Sequence, residues 1–177
     1  MSAAGIGGVA GGAVLSIWSG PKRKIHGVLV SNILMNLVGW FLVGLGQNWY
    51  IWTLAAFLGI FFLPILNGSN QAIWQVKVPP EMQGRVFASR LFIAQMGMPL
   101  GMLIAGPLAD DFFEPAMTSQ SSLASMFGNL VGTGPGSGMS LMLIFAGLMG
   151  AIAGVCAYSF RVLRHAEDIL PEHDKTK

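Results

Sequence analysis

Residues 26–46 read HGVLVSNILMNLVGWFLVGLG, a run with no Asp, Glu, Lys or Arg. A helix needs roughly 20 apolar residues to cross the hydrocarbon core of a bilayer, so this stretch is long enough for one full crossing. β-Strands run to about ten residues, and an uncharged segment of this length is foreign to soluble helices. Working outward, four more apolar segments follow the same rule: residues 2–18, 50–75, 89–109 and 139–163. The expected fold is all-α, a polytopic membrane helix bundle of about five transmembrane helices over residues 1–163. A hydrophilic tail follows, residues 164–177. Between the third and fourth spans, residues 76–90 read as a polar loop broken by Pro79-Pro80, since proline removes a backbone donor and resists a helix interior. Asp110-Asp111 is expected to end the fourth span. Residues 112–138, rich in Ser, Gly and Pro, read as an exposed loop with a short interfacial helix near Leu123–Leu130.

Composition supports lipid as the solvent. Of the 177 residues, 53% are hydrophobic and 10% charged, whereas soluble domains carry about a quarter charged residues. A net charge of +2 gives no reason to invoke nucleic acid. The single cysteine, Cys156, lies in an apolar run and can form no internal disulfide. No basic region precedes the first apolar run, so it does not read as a signal peptide.

The charges supply a check that played no part in choosing the spans. If five helices alternate in direction, one set of connectors holds Lys22, Arg23, Lys24, Lys77, Arg85, Arg90, Arg161, Arg164, Lys175 and Lys177. The other set holds residue 1, the turn at residues 47–49 and the loop with Asp110, Asp111 and Glu114, and it contains no Lys or Arg. Basic residues are retained in the cytoplasm during insertion. The C-terminus is therefore expected inside, in a multi-pass protein of the plasma (inner) membrane. Trp18, Trp49, Tyr50, Trp52 and Trp74 stand near span ends, as interfacial anchors do.

Three stretches carry a family resemblance. Gly11-Gly12, seven residues, then Gly20-Pro21-Lys22-Arg23-Lys24 is similar to a Gly-to-basic loop. Val78-Pro79-Pro80-Glu81-Met82-Gln83-Gly84-Arg85-Val86-Phe87 is similar to a cytoplasmic loop. Pro99-Leu100-Gly101-Met102-Leu103-Ile104-Ala105-Gly106-Pro107-Leu108-Ala109-Asp110 is similar to a Gly/Pro-rich helix with an acidic stop. Together they resemble helices eight to twelve of a major facilitator superfamily transporter, and more narrowly the macrolide-efflux-like branch of drug:proton antiporters. One departure stands out: the acidic residue that the family's Gly-to-basic loop usually carries is missing from Ser16-Ile17-Trp18-Ser19. The resemblance implies export of small amphipathic molecules such as drugs, macrolides or siderophore-like compounds. It also implies proton antiport and alternating access around a cavity between two halves. Helices one to seven, the N-terminal transporter half, would then be a partner lying outside this chain.

Asn67, Asn70, Gln71 and Trp74 follow the spacing i, i+3, i+4, i+7 and so share one helix face. Uncharged amides hydrogen-bond a polar substrate without burying charge. The competing reading is bonding to neighbouring helices, worth about 0.6 kcal/mol each in membranes. The resemblance places that face, and Gln95 on the next span, against the substrate cavity, and it places Glu81 and Arg85 in a cytoplasmic gate loop. Asn32 and Asn36 are expected to bond between helices. Gly8 with Gly12, and Gly97 with Gly101, form small-xxx-small pairs suited to close packing, and Pro64, Pro99 and Pro107 invite bends. His26 reads as an interfacial anchor. No charge sits in the middle of a span, where a charge is usually functional, so a proton carrier is expected elsewhere. No catalytic set, metal spacing or cofactor motif is present in the sequence, which argues against an enzyme. A non-transporting scaffold built from a truncated carrier, and an importer, remain as alternatives to the exporter.

Overall fold

A computed structural model describes residues 2–18, 20–117, 122–165 and 167. Most of the expected tail, residues 164–177, lies outside them. The chain is an all-α membrane helix bundle, and no strand forms among the described residues. In order, α1 is Ser2–Trp18 and α2 is Lys24–Leu45, with a π-helical stretch at Met35–Phe41. Then come α3 (Trp49–Lys77), α4 (Pro80–Ala116), α5 (Ser122–Val131), α6 (Ser137–Ser159) and α7 (Arg161–Arg164). By length and composition α2, α3, α4 and α6 are able to cross a membrane. At 17 residues, α1 rises about 26 Å, slightly less than the roughly 30 Å hydrocarbon core.

Helices in lipid gain little from hiding apolar side chains, because the tails are as apolar as leucine. They associate through close backbone approach. The packed unit is α1 on α3, with α2 seated between α3 and α6. A Cβ on Gly7 or Gly11 would overlap the main-chain carbonyls of Phe57 and Phe61 on α3. The contact row is therefore Gly7/Gly11, one residue away from the expected Gly8/Gly12. Gly8 meets only the Ile60 side chain, at 3.2 Å from a Cβ position, and Gly12 faces open space. Both pairs fit the four-residue spacing, and only the rotation of the helix distinguishes them. On the other side α6 turns small residues to α2: a Cβ at Gly147 would stand 2.5 Å from the Phe41 nitrogen, and Gly150 lies against the Asn36 amide.

The π-helical stretch of α2 runs along this α6 contact. Asn36 Nδ2 donates to the Asn32 carbonyl at 2.9 Å, within its own helix. The expected interhelical bond is thus replaced by an intrahelical one, with Gly150 of α6 packed against the amide.

Two boundary expectations need correction around α4. The helix begins at Pro80, not near residue 89. A proline in the first turn loses nothing, since that N–H has no intrahelical partner, so Pro79-Pro80 starts the helix where a loop was expected. Nor does Asp110-Asp111 stop it: the backbone widens into a π-helical stretch over Leu108–Phe113 and continues to Ala116. That continuation delivers Glu114 to the start of α6. Its Oε1 accepts from the Gly136 N–H at 2.6 Å and its Oε2 from the Gly138 N–H at 3.0 Å. Such N–H groups have no partner inside the helix they open, and a carboxylate also suits the positive end of the helix dipole. α3, as expected, is one helix with Pro64 inside it.

Two outcomes follow from this packing. Gly11→Leu is expected to lower stability by about 1–3 kcal/mol through steric overlap, while Gly12→Leu leaves it nearly unchanged; thermal unfolding in detergent compares them. Glu114→Ala is expected to cost about 1–2 kcal/mol as a lost helix cap, read by faster hydrogen exchange confined to the first turn of α6.

Candidate functional site

Two faces of α3 do different work. Ala55, Ile65 and Ser69 are buried in the packed unit. Asn67, Gln71 and Trp74 are exposed and Asn70 is half-buried, so the face read from the sequence points away from the core. Trp74 Nε1 donates to Asn70 Oδ1 at 3.1 Å, which fixes the indole along the helix. The Arg90 guanidinium of α4 lies 4.6 Å from the Trp74 ring centroid and 5.9 Å from that of Phe87. A cation over an indole face is held by the ring quadrupole.

Next to this contact, Gln83 Nε2 donates to the Gln75 carbonyl at 3.1 Å and the Val78 carbonyl at 3.0 Å. Gln83 and Arg90 together clamp the corner where α3 turns into α4. Neither was singled out as a site residue: Arg90 read as a topology-setting charge, and Gln83 carried no spacing signal. Its proximity to two freed carbonyls at the end of α3 was the available clue, because helix C-termini leave such groups without partners.

Beyond the corner α4 stands apart. No residue from Pro80 to Pro107 is buried, and its extensive contact is with its own continuation. Gln95 is exposed on this free helix. Gly97 and Gly101 meet nothing within 4 Å, so among the described residues no other helix packs on them. The structure therefore brings Asn70, Trp74 and Arg90 together and leaves Asn67 and Gln71 exposed on α3 and Gln95 exposed on α4. Glu81 and Arg85 are both exposed at the start of α4, and the Arg85 carbonyl accepts from Ser89 Oγ at 2.8 Å.

This surface offers amides, an indole and a guanidinium, groups that can hydrogen-bond and stack on a polar or aromatic molecule. Ligand sites are normally concave, whereas this surface is open. An apolar groove of about 420 Å³ lies elsewhere, lined by Met35, Gly39 and Trp40 of α2 and by Gly59, Ile60 and Leu63 of α3. Among the described residues no three His, Cys, Asp or Glu side chains gather as metal ligands would.

No family model and no solved structure matches the chain. Over 102 residues it is 26% identical to macrolide efflux protein A of Streptococcus pyogenes, and equally to macrolide efflux protein A of that organism's serotype M6 strain. The aligned region is 56% of this chain and 25% of each relative, so the chain spans about a quarter of the length of the curated relatives it matches. The chain is an all-α membrane helix bundle with weak similarity to an efflux protein.

Proposed function

We propose that this chain forms part of a major-facilitator-type exporter. Its cargo would be small amphipathic molecules such as drugs, macrolides or siderophore-like compounds. The observation that carries the reading is α4, a long apolar helix with no buried residue from Pro80 to Pro107, joined to the amide-bearing α3 at the corner where Arg90 lies over Trp74. A helix of this kind is one wall of a path whose other wall comes from further polypeptide, namely the N-terminal half of the carrier. The similarity to macrolide efflux protein A supports the direction of transport and a role other than enzyme.

In this reading Asn67, Asn70, Gln71, Trp74 and Gln95 line the substrate path, and Glu81 and Arg85 belong to its cytoplasmic gate. The protein lies in the plasma (inner) membrane with its C-terminus in the cytoplasm. Alternating access is a flexing of α4 between its two held ends, the Gln83–Arg90 corner and the Glu114 cap, with Pro99 exposed between them. Proton antiport drives the cycle, and the titrating groups sit in the remainder of the carrier, since no charged side chain lies mid-span here.

The test uses membrane vesicles containing the protein with Cys156→Ser. Single cysteines at Asn67 and Asn70 are expected to react with a membrane-impermeant maleimide and to be protected by erythromycin. Failure to label, or labelling indifferent to every macrolide tried, contradicts a water-filled substrate path.

A further inference from the structure

A recess of about 480 Å³ lies at the end of the bundle where α2 turns into α3. That turn forms one wall, and the chain leading from α5 into α6 forms the other. The two walls are tied together. Gln47 Nε2 donates to the Leu130 carbonyl at 2.7 Å, across 83 positions of sequence. Glu114 holds the far end of the loop through the N–H groups of Gly136 and Gly138. Between these anchors the chain reverses at Gly132 and Gly136, whose φ angles of +87 and +88 belong to the region that favours glycine. The recess is therefore a built feature of the fold.

Trp52 forms its aromatic side. A Cβ on Gly46 would overlap the indole, so glycine at that position lets the ring lie back on the turn. Trp52 keeps 51% of its surface exposed, and among the described residues its Nε1 has no acceptor. The Nε1 of Trp74, by contrast, is committed to Asn70. Gln47, Ser137 and Ser140 bring an amide and two hydroxyls to the lining, and Val43 and Leu143 supply an apolar part. Among the described residues no Lys, Arg, His, Asp or Glu lines the recess.

This inventory selects a class of ligand. A charged molecule would lose hydration in the recess without meeting a counter-charge. An uncharged molecule with several hydroxyls finds neutral donors and acceptors there. The indole offers a ring face to an apolar surface and an N–H to a polar atom. Trp49 and Tyr50, both exposed on the same turn, set the opening at headgroup depth.

We propose that this recess binds an uncharged glycoside, a sugar ring joined to an apolar group. The C–H face of the sugar lies on Trp52, its hydroxyls bond to Gln47, Ser137 and Ser140, and the apolar group rests on Val43 and Leu143. The site shares no side chain with the surface formed by α3 and α4, so it does not depend on the exporter reading. A soluble glycoside and the headgroup of a glycolipid carry the same chemistry, and the experiment separates them.

The test places the full chain in phosphatidylcholine nanodiscs and reads binding of phenyl β-glucoside by saturation-transfer NMR. Binding is expected, whereas phenyl phosphate, which carries an anion in place of the sugar, should give none. Trp52→Ala should weaken binding about five-fold. Trp18→Ala, at another exposed tryptophan, should leave it unchanged. Gly134→Leu is the second handle should Trp52→Ala fail to fold. Gly134 lines the recess, and nothing lies within 4 Å of a Cβ there, so the added side chain should narrow the site and reduce binding without disturbing the packing. Glucosyl diacylglycerol added to the discs identifies the source. Competition with phenyl β-glucoside supports a glycolipid headgroup as the ligand, and its absence supports a soluble glycoside. Equal binding of phenyl phosphate, or equal losses from Trp52→Ala and Trp18→Ala, would overturn the proposal in favour of general partitioning at the membrane surface. Binding unchanged by both Trp52→Ala and Gly134→Leu would overturn the location.

Discussion

Close approach of backbones is the constraint on which this bundle depends. Lipid satisfies no N–H or C=O group, so every crossing segment must be a helix with its polar groups bonded internally. Because lipid also supplies no hydrophobic drive between helices, they must pack by van der Waals contact over small residues. Gly7 and Gly11 let α1 lie on the Phe57 and Phe61 carbonyls, and Gly147 and Gly150 let α6 lie on α2. Carboxylates then close the ends. Glu114 caps α6, and Glu167 receives the Ile25 N–H at the start of α2.

The same constraint divides the molecule by role. Where small residues meet a neighbouring backbone, helices lock into the unit of α1, α2, α3 and α6. Where they meet nothing, as at Gly97 and Gly101, the helix is left open on its flanks. α4 is fixed at its two ends, by Gln83 and Arg90 at one and by Glu114 at the other, and is unsupported between them. A member held in this manner suits either motion or a partner, and an exporter wall would need both.

The fold class and the presence of long apolar helices were legible because they rest on length and charge, which each local stretch of sequence displays. The face of Asn67, Asn70, Gln71 and Trp74 was legible because helical spacing alone defines it. What could not be read depends on rotation or on partners distant in the chain. Gly7/Gly11 and Gly8/Gly12 are equivalent until α3 is placed beside them. Pro79-Pro80 signals a boundary without saying on which side the helix lies. Glu114 looked like one more outer-loop acid, and its role as a cap follows only from the extension of α4 past Asp110-Asp111. The recess beside Trp52 is likewise a property of the packing, closed by Gln47 and Leu130, residues 83 positions apart.

The central claim is that lipid surrounds these helices and that the chain threads it with its basic connectors on one side. Paired reporter fusions placed after Asn48 and after Lys175, one reporter active only outside the cytoplasm and the other only within it, test this most directly. The account predicts opposite compartments, with Asn48 outside and Lys175 inside. Both points in the same compartment would contradict the threading and, with it, the carrier reading.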